Sequence, residues 1–496
     1  MLKGSLRIGL AALSVTGIGV ACSSTASKEF VTSDGGPGQG GGSSAGNPGM
    51  AGDSAGGDDS SGGTGKGGSG GSGVAGCGNL DIDPQNCGAC GSVCDPGENC
   101  FAGVCGGDQI VKVTAGSGSC ILTEAGKIFC FGPNQYGQCG VPLAGNVECG
   151  PGMWPCRPEP VEVLGVSDAS DVSSGLDYTC AVRGGKVFCW GRNDWGQLGH
   201  DPADDDNCGE PCKTTPTEVP GIEDAVGVAT GFWTACAWTG TGAAYCWGQN
   251  NQGVVGTGEL TDREPLAKPV VGLGANVSRI VMMLGGVNHA CAIMFDQTVY
   301  CWGDNQFGQA GQTASANPIT TPAPVTGLSN VVDLALGDGA SCAVLENQTV
   351  VCWGIDGSGF RNGFVGTSHV PAPITGIAEI LAASAYRGHI CVRSALSELF
   401  CWGDNRFGQL GDGTFEGGYD GHACLCKPAF HIPNLKAKLH ASGNDINIAV
   451  KFDNTVWTWG KNSAGSLGHA VGSEGDLSCN MSEPCNPTPT QVILPF

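Results

Sequence analysis

Basic residues are scarce in this sequence. Of its 496 residues, 23 are Lys or Arg and 46 are Asp or Glu, so the formal net charge is −23. An acidic surface repels phosphate backbones, and the composition therefore argues against nucleic acid as a partner. The same acidity favours solubility and discourages self-association, so we expect a monomer.

Long apolar runs and helical periodicity are missing as well. The apolar run at residues 8–21 is shorter than the ~20 residues that a transmembrane helix needs. No stretch repeats apolar residues with the period of an amphipathic helix. We therefore predict neither a membrane-spanning helix nor a helical fold.

Catalytic motifs are also absent. The sequence has no HExxH, Walker A or nucleophile-elbow motif, so we predict no enzyme activity, no catalytic residue, no cofactor and no metal site. The acidic stretch Asp201–Asp206 could hold Ca²⁺, but a solvated acidic loop is the preferred interpretation. His289 and His389 occupy the same position before a Cys, which favours a framework role over catalysis or metal binding.

Residues 1–22 have the pattern of a lipoprotein signal peptide. Lys3 and Arg7 precede the apolar run, which ends at Ala21-Cys22-Ser23-Ser24. A Cys after small residues resembles the bacterial lipobox, in which the thiol is diacylated. We expect lipidation at Cys22 and a place in the bacterial cell envelope, as an outer-membrane lipoprotein. The alternative is a secreted protein that is cleaved nearby.

Two segments separate this signal from the rest of the chain. Residues 23–76 are rich in Gly and Ser, and such a composition predicts a disordered linker. Residues 77–106 form a small Cys-rich segment with six cysteines, at Cys77, Cys87, Cys90, Cys94, Cys100 and Cys105. An even count in an exported segment favours three disulfides, although Cys87 and Cys90 also have the spacing of a zinc knuckle.

Seven copies of one pattern occupy residues 107–496. The clearest copy is FCWGDNRFGQLG, which starts at Phe400 and reads hydrophobe-Cys-Trp-Gly-x-Asn-x-x-Gly-Gln. The aromatic residue before its glycine recurs at steps of 49 to 59 residues, at Phe131, Trp190, Trp247, Trp302, Trp353, Trp402 and Trp459. Seven copies at a nearly constant step indicate a repeat architecture.

Six of the copies carry a pair of cysteines. The segment between the two members reads as strand, turn and strand, so each pair is expected to face across a β-hairpin. In the seventh copy Ile448 and Thr458 replace both cysteines together, as a disulfide predicts. The predicted pairs are Cys120 with Cys130, Cys180 with Cys189, Cys236 with Cys246, Cys291 with Cys301, Cys342 with Cys352, and Cys391 with Cys401.

Nine further cysteines lie mostly in insertions after the Gly-Gln segment. Local pairing could staple three loops, at Cys149 and Cys156, Cys208 and Cys212, and Cys479 and Cys485. Nine is odd, so one thiol is left over once Cys22 is lipidated. Cys139, which stands where other copies have Leu or Ala, is the candidate. In all, 28 cysteines imply an oxidising compartment, in agreement with export.

The pattern resembles the repeat of the regulator of chromosome condensation family, whose copies read PxxVxGLxxVxxVAxGxxHTCALxxDGxVYCWGxNxxGQLG. This resemblance covers residues 107–496 and implies an all-β, seven-bladed β-propeller. The repeated Trp, Asn and Gly-Gln residues are then framework, because an active site needs a residue once and not seven times. Residues 489–494 read as a strand with no repeat to follow, so we predict that they complete the N-terminal blade.

The turns before the first hairpin Cys differ between copies. By the symmetry of a propeller all seven turns lie on one face of the ring. They contain Tyr, Trp, Phe and Arg, the residue types of binding hot spots. The candidate partner-binding residues are Tyr178, Phe232, Trp233, Tyr386 and Arg387.

An exported bacterial member of this family, the β-lactamase inhibitory protein of the second type, is similar in using aromatic residues of this turn. Gly231-Phe232-Trp233 matches its Gly-aromatic-aromatic pattern, whereas the turns at Ser117 and Gly339 depart from it. The structural alternative is that Phe232 and Trp233 merely cover the end of a blade. The family's nucleotide exchange on a nuclear GTPase is not expected of an exported, acidic protein.

We therefore expect an exported, surface-tethered binding scaffold. Its propeller face would recognise a protein or glycan at the envelope or outside the cell. The alternative is a secreted enzyme inhibitor that resembles the β-lactamase inhibitory protein of the second type. A secreted lyase or hydrolase is the least favoured function.

Overall fold

The computed structural model of the chain describes residues 93, 100–101, 104–105, 108–283, 288–355, 367–415, 427–473 and 475–495. The predicted signal peptide, the linker and most of the Cys-rich segment lie outside these residues, as do Cys22, Cys424 and Cys426. Within the Cys-rich segment, β1 (Cys100–Phe101) pairs with β2 (Val104–Cys105) in antiparallel fashion. None of the described helices is long and apolar enough to cross a membrane.

The described residues from 108 onward form seven blades of short antiparallel strands. Blade 1 contains β3 (Ile110–Ala115), β4 (Ser119–Thr123), β5 (Ile128–Pro133), β6 (Val147–Cys149) and β7 (Trp154–Glu162). Blade 2 contains β8 (Ala169–Ser174), β9 (Tyr178–Arg183), β10 (Lys186–Arg192), β11 (Asp206–Asn207) and β12 (Pro211–Glu218). Blade 3 contains β13 (Ala225–Thr230), β14 (Thr234–Thr239), β15 (Ala244–Gln249) and β16 (Arg263–Pro269).

Blades 4 and 5 have four strands each. Blade 4 contains β17 (Val277–Met282), β18 (His289–Met294), β19 (Val299–Gly303) and β20 (Ile319–Pro324). Blade 5 contains β21 (Val331–Gly337), β22 (Ala340–Leu345), β23 (Val350–Ile355) and β24 (Thr367–Pro373).

The last two blades share one long strand. Blade 6 contains β25 (Ile380–Tyr386), β26 (His389–Ser394), β27 (Glu398–Gly403) and the first part of β28 (Lys427–Ser442). Blade 7 contains the rest of β28, β29 (Ile446–Lys451), β30 (Val456–Lys461), β31 (Leu477–Ser478) and β32 (Pro484–Val492). Short 3₁₀ turns lie at Pro202–Asp204 and Asn480–Ser482.

Every blade is continuous in sequence, which corrects the prediction about ring closure. The C-terminal strand β32 pairs with β30 of blade 7, with Val456 opposite Val492, and does not pair with blade 1. Blade 1 takes its outer strand, β7, from the residues that follow its own hairpin. The prediction was wrong because it assigned each outer strand to the hairpin after it rather than the hairpin before it.

Blade 7 meets blade 1 through side chains and single backbone bonds instead of a shared strand. Lys438 Nζ donates to Gln109 Oε1 at 3.0 Å and to the Ile110 carbonyl O at 3.2 Å. The Ile110 N–H donates to Asn454 Oδ1 at 2.9 Å. Val492 of blade 7 belongs to the same apolar cluster as Ile110. The ring is therefore closed by the kind of packing that joins its other blades.

The repeated Trp residues link neighbouring blades. Trp247 is fully buried, and its Nε1–H donates to the carbonyl O of Gln197 in the preceding blade at 2.9 Å. The same bond joins Trp190 to Gln138 at 3.0 Å, Trp302 to Val254 at 2.6 Å, Trp353 to Gln309 at 2.8 Å, and Trp459 to Gln409 at 3.1 Å. These bonds confirm the framework role of the repeated Trp.

The repeated Asn and Gln residues shape the loop after the third strand. Asn193 Oδ1 accepts the N–H of Leu198 at 2.8 Å, and Gln197 Oε1 accepts the N–H of Trp195 at 2.8 Å. The Asn bond recurs between Asn134 and Cys139, Asn250 and Val255, Asn305 and Ala310, Asn405 and Leu410, and Asn462 and Leu467. The repeat is therefore a loop-building device.

Six disulfides cross the hairpins between the second and third strands. The structure joins the six pairs that the hairpin pattern predicted, with Cα atoms 4.0–4.1 Å apart. In blade 7, Ile448 lies opposite Thr458 at the same register. Loop disulfides join Cys149 to Cys156, Cys208 to Cys212, and Cys479 to Cys485. Cys139 is the free cysteine of the described residues, and burial raises the pKa of its thiol to about 12.

Candidate protein-binding face

One end of the ring carries the variable turns, and we call it the turn face. In blades 2 to 7 the N–H at the end of the third strand bonds to the turn, as Arg192 does to the Asp177 carbonyl O at 2.9 Å and Gln249 to the Trp233 carbonyl O at 2.9 Å. The Asn-x-x-Gly loop follows directly, so turns and loops share this face. Residues 284–287 of blade 4 and 356–366 of blade 5 lie outside the described part of it.

Four aromatic side chains on blades 1 to 3 form what we call the aromatic patch: Tyr136, Trp195, Phe232 and Trp233. Trp195 stacks on Trp233 with ring centroids 5.5 Å apart and an interplanar angle of 18°. Phe232 meets Trp233 edge-on at 4.3 Å. All four side chains are partly exposed. Exposed aromatic rings held in contact with one another make a rigid contact surface with little side-chain entropy left to lose.

The patch draws on blades 1 to 3, and its stacked rings come from blades 2 and 3. Trp195 lies in the loop after β10 of blade 2, whereas Phe232 and Trp233 lie in the turn between β13 and β14 of blade 3. Arg263 at the start of β16 supports the loop, since its Nη1 donates to the Asp194 carbonyl O at 2.8 Å. The patch is therefore built by framework contacts that fix both sides.

The Trp233 indole has an unsatisfied polar atom. Its Nε1 is buried and has no hydrogen-bond partner among the described residues. An unpaired buried donor costs about 1–3 kcal/mol. By contrast, five framework Trp residues donate to a carbonyl across the blade interface, namely Trp190, Trp247, Trp302, Trp353 and Trp459. This difference sets Trp233 apart from the framework Trp residues.

A charged cluster borders the patch at Tyr136. Arg192 holds Asp194 through two bonds of 2.8 Å, and its guanidinium lies 5.1 Å from the centroid of the Tyr136 ring. Asp177 lies 3.6 Å from Arg192. Burial raises the pKa of Asp177, and the neighbouring Arg192 opposes this shift. The edge of the patch thus offers both a cation and carboxylates to a partner.

The other side of the turn face is dominated by charges. Arg387 is exposed in a turn with φ of +40°, a backbone region that is costly for residues other than Gly. Its carbonyl O accepts the N–H of Asp338 at 2.8 Å. Lys461 Nζ lies 4.8 Å from the centroid of the Phe407 ring, which is itself buried. The face therefore has an aromatic half and a charged half.

Two of the five candidate partner-binding residues are not at the surface. Tyr178 and Tyr386 are each 1 % exposed. The hydroxyl of Tyr178 donates to the Thr234 carbonyl O at 2.7 Å and lies 3.3 Å from the Gly231 carbonyl O. Their prediction as contact residues was wrong, because both side chains point into the blades. Tyr178 instead supports the turn that presents the aromatic patch.

Phe232, Trp233 and Arg387 do lie at the surface of the turn face. Tyr136, Trp195 and Arg192 were not predicted from the sequence. The signal for Tyr136 and Trp195 is the residue before the Gly-Gln position, which varies between copies as Tyr136, Trp195, Gln252, Phe307, Phe407 and Ala464. Arg192 lies at another variable position, between Trp-Gly and Asn. The repeated Trp, Asn and Gly-Gln residues of the motif are framework, whereas the position before Gly-Gln varies and is partly exposed in blades 1 and 2.

The acidic loop and the two histidines are held by structural contacts. Asp205 accepts from Asn193 Nδ2 at 2.5 Å and lies 2.7 Å from His200 Nε2. His289 Nε2 lies 2.8 Å from Ser341 Oγ of the next blade, and burial lowers the pKa of His389 to about 4. No group of three His, Cys, Asp or Glu side chains in the described residues is arranged to hold a metal ion.

Comparison with known proteins agrees with this architecture. Residues 125–182, 184–238 and 241–293 match the model of the regulator of chromosome condensation (RCC1) repeat, and residues 285–309 match a second model of that repeat. The E3 ubiquitin-protein ligase HERC2 of Mus musculus is 28 % identical over 311 residues, which are 60 % of this chain and 6 % of that ligase. The ultraviolet-B receptor UVR8 of Arabidopsis thaliana is 28 % identical over 253 residues, half of this chain and 53 % of the receptor.

A solved structure shares the fold. The crystal structure of Kap60 bound to yeast RCC1 (Prp20) superposes with a TM-score of 0.59 and 20 % identity, over 74 % of this chain and 83 % of that one. At this identity the likeness concerns the fold alone. The chain therefore carries regulator of chromosome condensation repeats within residues 125–309 and folds as the seven-bladed β-propeller of that repeat type.

Proposed function

We propose that the protein is an exported binding scaffold whose aromatic patch contacts a protein partner. The observation that carries this proposal is the partly exposed stack of Trp195, Trp233 and Phe232. Large aromatic side chains of this kind dominate binding energy at protein interfaces. The yeast relative with this fold was crystallised with a bound protein, which supports protein recognition as a use of the fold.

Replacing Trp195 and Trp233 together with Ala is expected to weaken partner binding by at least about 30-fold, because the loss of even one hot-spot anchor costs about 2 kcal/mol or more. The mature wild-type protein would be used to isolate partners from envelope extract. Binding of the purified partner to the wild type and the variant would then be measured by calorimetry.

Phe295 and Phe452 provide the matched control for this experiment. Both are exposed, at 57 % and 61 %, and both lie in turns between the second and third strands, at the opposite end of the ring. The Phe295→Ala/Phe452→Ala protein should bind as the wild type does. Equal losses in the two double variants would refute the turn face as the contact surface. If protease treatment of the envelope extract leaves binding intact and periodate oxidation of the extract abolishes it, the partner is a glycan instead.

Export and lipid attachment belong to the same proposal. The N-terminal pattern with Cys22 and the six hairpin disulfides support an oxidising compartment outside the cytoplasm. Cells fed radioactive palmitate should label the wild-type protein and not the Cys22→Ser variant. Label of equal strength on both proteins, or on neither, would contradict attachment at Cys22.

A further inference from the structure

The innermost strands of all seven blades surround a central channel. It contains a cavity of about 330 Å³, which is lined by residues of β3, β8, β13, β17, β21, β25 and β28. This volume lies within the usual range of small-molecule sites. The channel lies at the axis of the ring and is distinct from the aromatic patch, which lies at the turn face.

One layer of this channel is charged. Lys112 of blade 1 pairs with Asp171 of blade 2, and Arg279 of blade 4 pairs with Asp333 of blade 5 at 2.6 Å. The second oxygen of each carboxylate accepts a backbone N–H of the next blade at 3.0 Å, from Val228 and Ala383 respectively. Both carboxylates are therefore fully engaged and hold adjacent blades together.

Arg393 adds a third cation to the cavity and departs from the repeat. In the other blades the equivalent position of the second strand is a buried apolar residue, namely Leu122, Val182, Trp238, Ile293, Val344 or Val450. Arg393 lies opposite the small Ala382 of the inner strand, as Trp238 lies opposite Gly227. These are the two blades in which a long second-strand side chain lines the channel.

The Arg393 guanidinium has no hydrogen bond and no ion pair with any part of the chain that the structure describes. Burial lowers the pKa of Arg393, and the charge of Asp333 opposes this shift. A partly buried cation without a partner is costly, because it loses hydration and gains no compensating bond. A residue that the repeat normally makes apolar is thus charged here at a cost in stability.

The charge balance of the cavity leaves one positive charge. Three cations, Lys112, Arg279 and Arg393, face two carboxylates. His440 also lines the cavity but is neutral at pH 7, because burial lowers its pKa to about 3. In a chain of net charge −23, this is a local positive excess.

We propose that the channel binds a small monocarboxylate, whose carboxylate group is held by Arg393. The planar guanidinium fork matches the two oxygens of a carboxylate. A single negative charge balances the cavity, whereas a phosphate dianion would leave one negative charge in excess. Trp238, Val228 and Ile280 provide apolar wall for the rest of the ligand.

Calorimetry of the mature protein with acetate, benzoate, benzyl alcohol and inorganic phosphate tests the proposal. We expect benzoate to bind to the wild type, acetate to bind more weakly, and benzyl alcohol to show no binding. Arg393→Gln should weaken benzoate binding by at least tenfold. Arg183→Gln removes a surface arginine that pairs with the exposed Asp168, and should leave binding unchanged. Lack of benzoate binding to the wild type, equal binding to Arg393→Gln, or tighter binding of phosphate would overturn the proposal.

A thermal measurement separates a ligand-binding Arg393 from a structural one. Arg393→Val restores the residue of blades 2, 5 and 7, so we expect the ligand-free Tm to rise by about 1–2 °C. Benzoate should raise the Tm of the wild type and leave that of the variant unmoved. A fall in the ligand-free Tm of Arg393→Val would show that the side chain stabilises the fold by itself, and would count against the proposal.

Discussion

Trp247→Ala is expected to lower the free energy of unfolding by about 3–5 kcal/mol, the usual cost of deleting a fully buried Trp. Trp247 is 0 % exposed and packs in an apolar cluster with Tyr178, Leu198 and Val219 of blade 2. The variant also leaves the carbonyl O of Gln197 without its indole donor. The change should appear as a lower midpoint in urea denaturation under oxidising conditions.

Two further variants show what the framework Trp contributes. Trp247→Phe keeps most of the volume but removes the bond to Gln197, so it should cost about 1–3 kcal/mol. Trp233→Ala, in the aromatic patch, should cost less than about 1 kcal/mol, because its ring is partly exposed and its Nε1 is unpaired. Similar losses from Trp233→Ala and Trp247→Ala would contradict the division between framework and contact residues.

The fold could be predicted from the sequence because the sequence is repeated. The bond of Trp247 recurs at four other Trp positions and that of Asn193 at five other Asn positions, so the role of each residue follows from its recurrence. The six hairpin cysteine pairs were readable for the same reason, since Ile448 and Thr458 replace both members of one pair together. A comparison of the seven copies thus shows which residues are structural, which a single copy would not show.

Side-chain direction could not be read in the same way. The variable turns were correctly assigned to one face, but Tyr178 and Tyr386 point into the blades while Phe232 and Trp233 do not. In a turn of three residues, some side chains point into the blade and others point to solvent. Neighbouring residues can differ in this respect, as successive side chains of a strand do. Trp195 was not predicted because it contacts Trp233 across a blade interface, and such a contact has no signal within one copy of the repeat.

The prediction that the C-terminal strand completes blade 1 was wrong for a related reason. Each copy was bounded at its Trp-Gly segment, and this choice does not say whether the Pro-x-x-Val strand belongs to the hairpin before or after it. Hydrogen bonds decide the matter, and they place β32 beside β30. A repeat in the sequence and a blade in the structure therefore start at different residues.

The charged half of the turn face contains a buried carboxylate, which we expect to destabilise the protein at neutral pH. Asp445 is 9 % exposed, and burial, followed by the nearby charge of Asp404, raises its pKa to about 6. Arg387, Lys461 and Arg406 oppose this shift but do not overcome it. An exposed Asp in an unfolded chain titrates near ~3.9. The folded state therefore binds the proton more tightly than the unfolded state.

Asp445→Asn is expected to raise the free energy of unfolding at pH 7.5 by about 2–3 kcal/mol, since a shift of two pKa units corresponds to about 2.7 kcal/mol. Between pH ~4 and ~6 the folded wild type holds more protons than its unfolded state, so its stability falls as the pH rises through this window. The penalty is complete above pH ~6 and absent below ~4. The advantage of the variant should therefore vanish at pH 4.

Asp224→Asn is the matched control, because Asp224 has φ of +57° against +60° for Asp445 but is exposed. Asn adopts this left-handed backbone region more readily than most residues do. Any gain in stability from the backbone conformation should therefore be the same in both variants. Only Asp445→Asn should show a gain that depends on pH, because only its carboxylate loses hydration on folding. Equal and pH-independent gains in the two variants would assign the effect to the backbone. A loss of stability at pH 7.5 would instead show that the Asp445 charge is held by Arg387 and Lys461, and that the charged half of the face is a stabilising network.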